Sequence, residues 1–149
     1  MRLSSFSDYS LRVLMYLGVH GGRLATAGEI AAAYGISVNH LTKVVNLLGR
    51  LGYVETVRGK GGGIRLGRGA AGIRLGEVIR QTENDFALVE CFATGGQCQI
   101  HAVCRLPPIL DEALAAMFTV LDRYTLADLL QGSGELGQML PQPEAGQPA

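Results

Sequence analysis

The sequence predicts a mainly α fold with a small β-hairpin: a winged helix-turn-helix followed by a long C-terminal dimerisation helix. Three observations carry that expectation. Two short helical patterns flank a turn at Gly35, an extended stretch with a glycine-rich tip follows at 53–66, and an apolar periodicity of alternating four- and three-residue steps begins after Pro107-Pro108.

Residues 7–18 read as a first helix, with Ser7 at the N-cap and Leu11, Leu14, Met15 and Gly18 on one stripe. Gly21-Gly22 ends it. Thr26 and Glu29 have capping-box spacing and open a second helix over 27–34, which stops at Gly35. Ser37 can cap a third helix over 38–51, whose stripe is Leu41, Val44, Val45, Leu48 and Leu51. The pattern then turns extended at 53–58 and 64–66, around a tip at 59–63, and a short helix follows at 75–81. Residues 82–106 lack periodicity and contain all three cysteines. Prolines 107 and 108 suit the first turn of a helix running to 130, where a backbone N–H is unpaired anyway. Its Leu110, Leu114, Met117, Leu121 and Tyr124 make a narrow seam suited to a partner helix. Residues 131–149, rich in Gly, Pro and Gln, read as a disordered tail. The chain thus divides into a DNA-binding region at 1–81, a cysteine loop at 82–106, a dimerisation helix at 107–130 and the tail.

A length of 149 residues fits one domain and excludes large multi-domain enzymes. Thirteen bases cancel thirteen acids, yet residues 1–80 hold eleven bases against four acids, a net +7, and residues 81–149 hold two against nine, a net −7. One half is suited to a polyanion. No uncharged apolar run reaches the roughly 18 residues of a membrane span. The N-terminus imitates a secretion signal, but Asp8 and Arg12 stand where a signal would be apolar. Three cysteines cannot all pair within the chain, so a reducing cytoplasm is expected.

On the third helix Asn39, Lys43, Asn46 and Arg50 lie opposite the apolar stripe at steps of four, three and four. Asn can pair with adenine, and Lys or Arg with guanine or phosphate, so this face suits a major groove; Ser37 and His40 flank it as further contacts. The tip sets Arg58, Lys60 and Arg65 among glycines small enough for close approach to a phosphate backbone. It is not a nucleotide loop, because Gly61 follows Lys60 where Ser or Thr is needed. No serine–histidine–acid pattern supports an enzyme.

Cys91, Cys98 and Cys104 place three thiols within 14 residues, around a compliant Gly-rich segment. Thiolates suit zinc, Cu(I) and iron–sulfur clusters, but the spacing lacks the tight knuckle of structural zinc sites. A fourth position is left for His101, a nearby carboxylate or a group from elsewhere. A metal-free thiol switch and unligated cysteines are the other readings.

The N-terminal Leu3-Ser4-Ser5-Phe6-Ser7-Asp8-Tyr9-Ser10-Leu11-Arg12, the wing Arg58-Gly59-Lys60-Gly61-Gly62-Gly63-Ile64-Arg65-Leu66 and three cysteines before a long helix together resemble the iron–sulfur winged-helix regulators that include NsrR, IscR and RirA. The likeness covers about residues 1–130. It implies a homodimeric bacterial transcription regulator of double-stranded promoter DNA, with the long helix at the dimer interface. An IscR-like chain would offer a histidine three residues after its last cysteine, where this one has Pro107. Asp8 with Arg12 is similar to the NsrR pattern, in which the aspartate reaches the partner's cluster. That likeness implies Asp8 as fourth ligand, a four-iron four-sulfur cluster with two-iron two-sulfur as the alternative, and repression relieved by nitric oxide. An iron- or redox-sensing regulator of the same family is the alternative function. An electron-transfer protein and a structural-zinc module are the readings outside that class.

Overall fold

The computed structural model describes residues 2–92, 98–100 and 102–140, the side chain of Cys91 excepted. Helix α1, Ser5–Val19, starts two residues earlier than its apolar pattern suggests, because the cap is Ser4, whose Oγ accepts from the Ser7 N–H at 3.2 Å. Ser7 is therefore not the cap. Its hydroxyl is buried 2.8 Å from that of Thr82, and since Thr82 donates to the Val78 carbonyl, Ser7 donates to Thr82. Helix α2, Ala27–Tyr34, carries the expected capping box, and Gly35 ends it in the left-handed conformation at φ 63°. Helix α3, Val38–Arg50, buries Leu41, Val44, Val45 and Leu48; Ser37 occupies its N-cap position without a side-chain cap bond.

Strands β1, Val54–Val57, and β2, Gly63–Leu66, form an antiparallel hairpin in which Val54 faces Leu66 and Val57 faces Gly63. Ala25 and Ile64 exchange backbone hydrogen bonds of 2.9 and 2.7 Å, which tie the hairpin to the entry of α2. Helix α4, Leu75–Thr82, buries Leu75, Val78 and Ile79. Val13, Leu14, Tyr16, Ile30, Leu41, Val44, Leu48, Tyr53, Ile73, Val78 and Leu126 are wholly buried, so one core joins α1, α3, the hairpin, α4 and the chain beyond residue 125.

Two expectations for the C-terminal third are corrected. The long helix is α5, Leu106–Leu121, and it stops nine residues short of 130. Two features end it. Tyr124 O accepts from Leu75 N and Leu126 N donates to Ile73 O, at 3.0 and 2.8 Å, which pulls the chain off the helix axis. Thr125 with Asp128 then forms a second capping box, which opens helix α6, Leu126–Leu129. The presumed tail begins with helix α7, Ser133–Met139, and Leu140 after it is buried. Its Leu136 and Leu140 join Leu130 against the core, and the Leu140 carbonyl lies 2.9 Å from His20 Nε2 at the end of α1. Apolar burial overrides composition there; residues 141–149 lie outside the described residues.

α5 itself is largely uncovered. Only Phe118 is buried. Leu114, Met117 and Leu121 of the expected seam are half-buried, lining a cavity of about 540 Å³ with Leu3, Ile79 and Leu88 of the same chain. The stripe left exposed is Leu106, Ile109, Ala113, Ala116 and Val120.

Candidate nucleic-acid interface and thiol loop

The α3 residues that packing does not use are Asn39, His40, Lys43, Asn46 and Arg50, all exposed together with Ser37 and Thr42. Val38 in the first turn is 49% exposed, an apolar group on the same surface. Reading the helix as polar against apolar passes over it. Its deviation is visible once Leu41, Val44, Val45 and Leu48 are known to fill the core without it.

The wing tip needs its glycines for two different reasons. Gly59 and Gly61 have φ of +104° and +77°, which L side chains rarely adopt, whereas a Cβ on Gly62 would lie 2.3 Å from the Val57 carbonyl oxygen. Small residues hold the tight turn that presents Arg58 and Lys60 to solvent, and among the described residues neither has a carboxylate within ion-pair distance. Arg65 differs from the expectation of a free contact: it faces Glu55 across the hairpin, with Nε and Nη2 at 3.1 and 3.0 Å from the same carboxylate oxygen. Arg68, next to the wing, lies over the Tyr53 ring at 4.2 Å and donates to the Leu51 carbonyl.

Asp8 sits in the first turn of α1, where the helix dipole favours an acid. Arg12 grips it one turn later, through Nε at 3.1 Å and Nη2 at 3.0 Å, and its guanidinium also lies 5.6 Å from the Tyr34 ring centre. Burial pushes the Tyr34 phenol up to about 12, so that ring is neutral beside the cation. Asp8 is 44% exposed, held in one orientation yet open to an outside partner.

Cys91 lies in a single 3-10 turn, Glu90–Phe92. Cys98 is exposed and Cys104 half-buried, two residues before α5. The Leu106 N–H, at the start of α5, donates to Cys104 Sγ at 3.5 Å. The sulfur thus sits at the N-terminus of α5, tied to the helix by a backbone N–H. Residues 93–97, His101 and the Cys91 side chain lie outside the described residues. Among the described residues no three His, Cys, Asp or Glu side chains gather at metal-binding distance, and the structure does not bring Asp8 to Cys98 and Cys104 within one chain. The donor set nonetheless fits an iron–sulfur cluster: soft thiols on a loop, one of them supported by a backbone N–H.

A helix-turn-helix with an unburied polar face on its second helix, flanked by a cationic glycine-turned hairpin, defines a winged-helix DNA-binding regulator. Residues 3–132 match the Rrf2 family model, described as an iron-dependent transcriptional regulator, and the chain belongs to that family. It is 50% identical over 146 residues to the HTH-type transcriptional regulator NsrR of Bacillus subtilis, covering 97% of this chain and 100% of that one. It is 49% identical to the NsrR of Geobacillus kaustophilus over 142 residues, 94% and 97% of the two chains. Among solved structures it is similar to T. potens IscR, with a TM-score of 0.73 at 25% identity over 91% of this chain and 90% of that one. It is also similar to CymR, the global cysteine regulator of B. subtilis, with a TM-score of 0.68 at 26% identity over 89% and 98%. The chain is a transcription regulator and not an enzyme. Among the described residues no helix is long and apolar enough to cross a membrane.

Proposed function

We propose that this protein is a cytoplasmic homodimeric repressor that binds palindromic promoter DNA and releases it when nitric oxide reaches an iron–sulfur cluster, of the four-iron four-sulfur type. Cys91, Cys98 and Cys104 of one protomer and Asp8 of the partner subunit hold it. The observation that carries the reading is the pairing of two half-sites on one chain: a thiol loop ahead of α5, and an aspartate held ready on α1 by Arg12 that, among the described residues, is not gathered with the thiols into one cluster. Nearly full-length identity of 50% to a regulator named NsrR supports it.

When bound, the cluster supplies iron that is open to nitric oxide. The chain's own residues link that event to DNA. Asp8 belongs to the same α1 that Ser4 and Ser7 tie to Glu83 and Thr82 of the α4 end, so a pull on Asp8 is felt by the reading head. Asn39, Asn46 and Arg50 face base edges, with Val38 suited to a thymine methyl; Ser37, His40, Lys43, Arg58, Lys60 and Arg65 face phosphates. The exposed stripe of α5 pairs with its copy, and the small Ala113 and Ala116 allow close approach of the two helices. Two heads must stand about 34 Å apart to engage successive half-sites, so a small change in their mutual angle is enough to weaken binding.

The test is anaerobic purification followed by absorption spectroscopy, then nitric oxide titration while promoter binding is monitored. Cluster-loaded protein should bind tightly and nitric oxide should release it. Equal binding before and after treatment would overturn the reading, and unchanged spectra and sensitivity in Asp8→Ala would remove Asp8 from the ligand set. The family's description as iron-dependent favours a second reading, iron status as the signal. Release on iron chelation with indifference to nitric oxide would establish that reading instead.

A further inference from the structure

A second set of polar contacts joins α5 to α4, away from the reading face and the thiols. Arg80 Nη1 and Nη2 donate to Asp122 Oδ1 and Oδ2, each at 2.7 Å. The same guanidinium lies 4.1 Å from the centre of the Phe118 ring, and Arg74 Nη1 donates to the Asp122 carbonyl at 3.0 Å. Gly76 closes the other side: a Cβ there would come within 2.0 Å of Asp122 Oδ1. Phe118 also meets the edge of Phe86 at 5.0 Å, in the segment that leads to Cys91.

Two features separate this arrangement from ordinary stabilisation. Asp122 is the C-cap of α5, where the helix dipole disfavours an acid, so its place there is not explained by helix stability. Both partners are also well exposed, 42% and 37%, and exposed pairs contribute little to folding. A two-pronged planar fork does define direction strongly, however. Arg80 holds the Asp122 carboxyl below the usual carboxylate range, in keeping with that persistent contact.

We propose that the Arg80–Asp122 fork, seated on Phe118 and fitted against Gly76, fixes the angle between α5 and the winged-helix head, making both positioning residues that set the half-site spacing the dimer accepts. The proposal rests on the reading of α5 as the dimer helix and of the head as the DNA reader. Without the fork each head pivots on α5 and tolerates a wider range of spacings.

The experiment uses the full-length, cluster-loaded dimer. Wild-type protein first selects a palindromic duplex from a random pool, and that duplex is then lengthened by two base pairs between its half-sites. This insertion turns one half-site by about 70° and shifts it by about 7 Å. Wild type should lose at least about tenfold in affinity, while Arg80→Ala, Asp122→Ala and Gly76→Ala lose under about threefold, with Arg80→Lys between. The three alanine variants remove a positive charge, remove a negative charge and leave the charge unchanged. A purely electrostatic effect would therefore split them, and would leave spacing preference untouched. Light scattering and thermal melts confirm that each variant is a folded dimer. Folded dimers that reject the lengthened duplex as strongly as wild type overturn the joint. Wild-type protein that is monomeric or selects no duplex overturns the function reading, and the joint with it.

Discussion

Replacing Glu55 by Gln should tighten DNA binding, because Arg65 is already engaged when DNA arrives. The pair spans the hairpin with both side chains about half exposed, 51% and 54%. An exposed pair of this kind contributes about 0.2–1 kcal/mol, so each head should gain ~1.4- to 5-fold and a two-headed dimer ~2- to 30-fold. On the proposed interface Arg65 meets the same phosphate in both proteins, so the slope of log K against log salt should stay nearly constant. Arg65→Ala should flatten that slope by about 0.9 per head. Fluorescence anisotropy on a labelled duplex across a potassium chloride series reads both quantities. In an Arg65→Ala background the Glu55→Gln gain should vanish. A Glu55→Gln protein that binds no better than wild type, or a gain that survives without Arg65, refutes the exchange of partners.

Three further outcomes follow from the packing. Glu29→Ala removes the capping box, the acceptor for the wholly buried Tyr16 hydroxyl and the partner of Arg23, and should cost about 3–5 kcal/mol in urea denaturation. Acid should destabilise the fold in a defined window. Burial pushes Glu29 up, but hydrogen bonds from Arg23 and Tyr16 outweigh it and hold the carboxyl low, and Arg80 and the Thr125 N–H hold Asp122 and Asp128 low. With folded values below unfolded ones, the unfolded chain takes protons first, so their contribution is full at neutral pH and is lost as pH falls below about 4. Glu29→Gln should lack much of that loss in melts from pH 7 to 3. Ala116→Glu, at an exposed position of α5, should leave the unfolding of a protomer almost unchanged yet give a monomer by light scattering.

The helix-turn-helix was legible because its signals are local: the Thr26–Glu29 box, the left-handed Gly35 and four apolar positions of α3 all act within a few residues. The wing was legible for the same reason, while the Glu55–Arg65 pairing depended on register. That register is set at the hairpin's tip by the glycine turn, beside which the Ala25–Ile64 bridge anchors β2. The features not legible in the sequence are long-range. Ser7 has the chemistry of a cap, but a hydroxyl 75 residues away on α4 takes it into the core. The end of α5 depends on backbone pairing with residues 73 and 75, of which the local sequence gives one trace, the Thr125–Asp128 spacing. The segment 133–139 is a helix because α1 offers it a surface, as Gly137 shows: a Cβ there would lie 3.4 Å from Val19 Cγ1 at the end of α1.

The choice between stripes on α5 shows where periodicity stops being informative. Leu110, Leu114, Met117 and Leu121 have coiled-coil spacing, and so do Leu106, Ile109, Ala113, Ala116 and Val120. Spacing alone favours the first, since its side chains are larger. The fold assigns the large side chains inward, where Leu114, Met117 and Leu121 face α4 and the N-terminal strand of chain in their own protomer. The alanine-bearing stripe is left outside, and small residues are what two closely crossing helices need. In the proposed dimer one helix then has two duties, with its inner face and Asp122 gripping the reading head while its outer face grips the partner. A rod gripped at both faces passes the orientation of one protomer to the other with little loss. The proposed sensor, with a fourth ligand that crosses between subunits, requires such a connection.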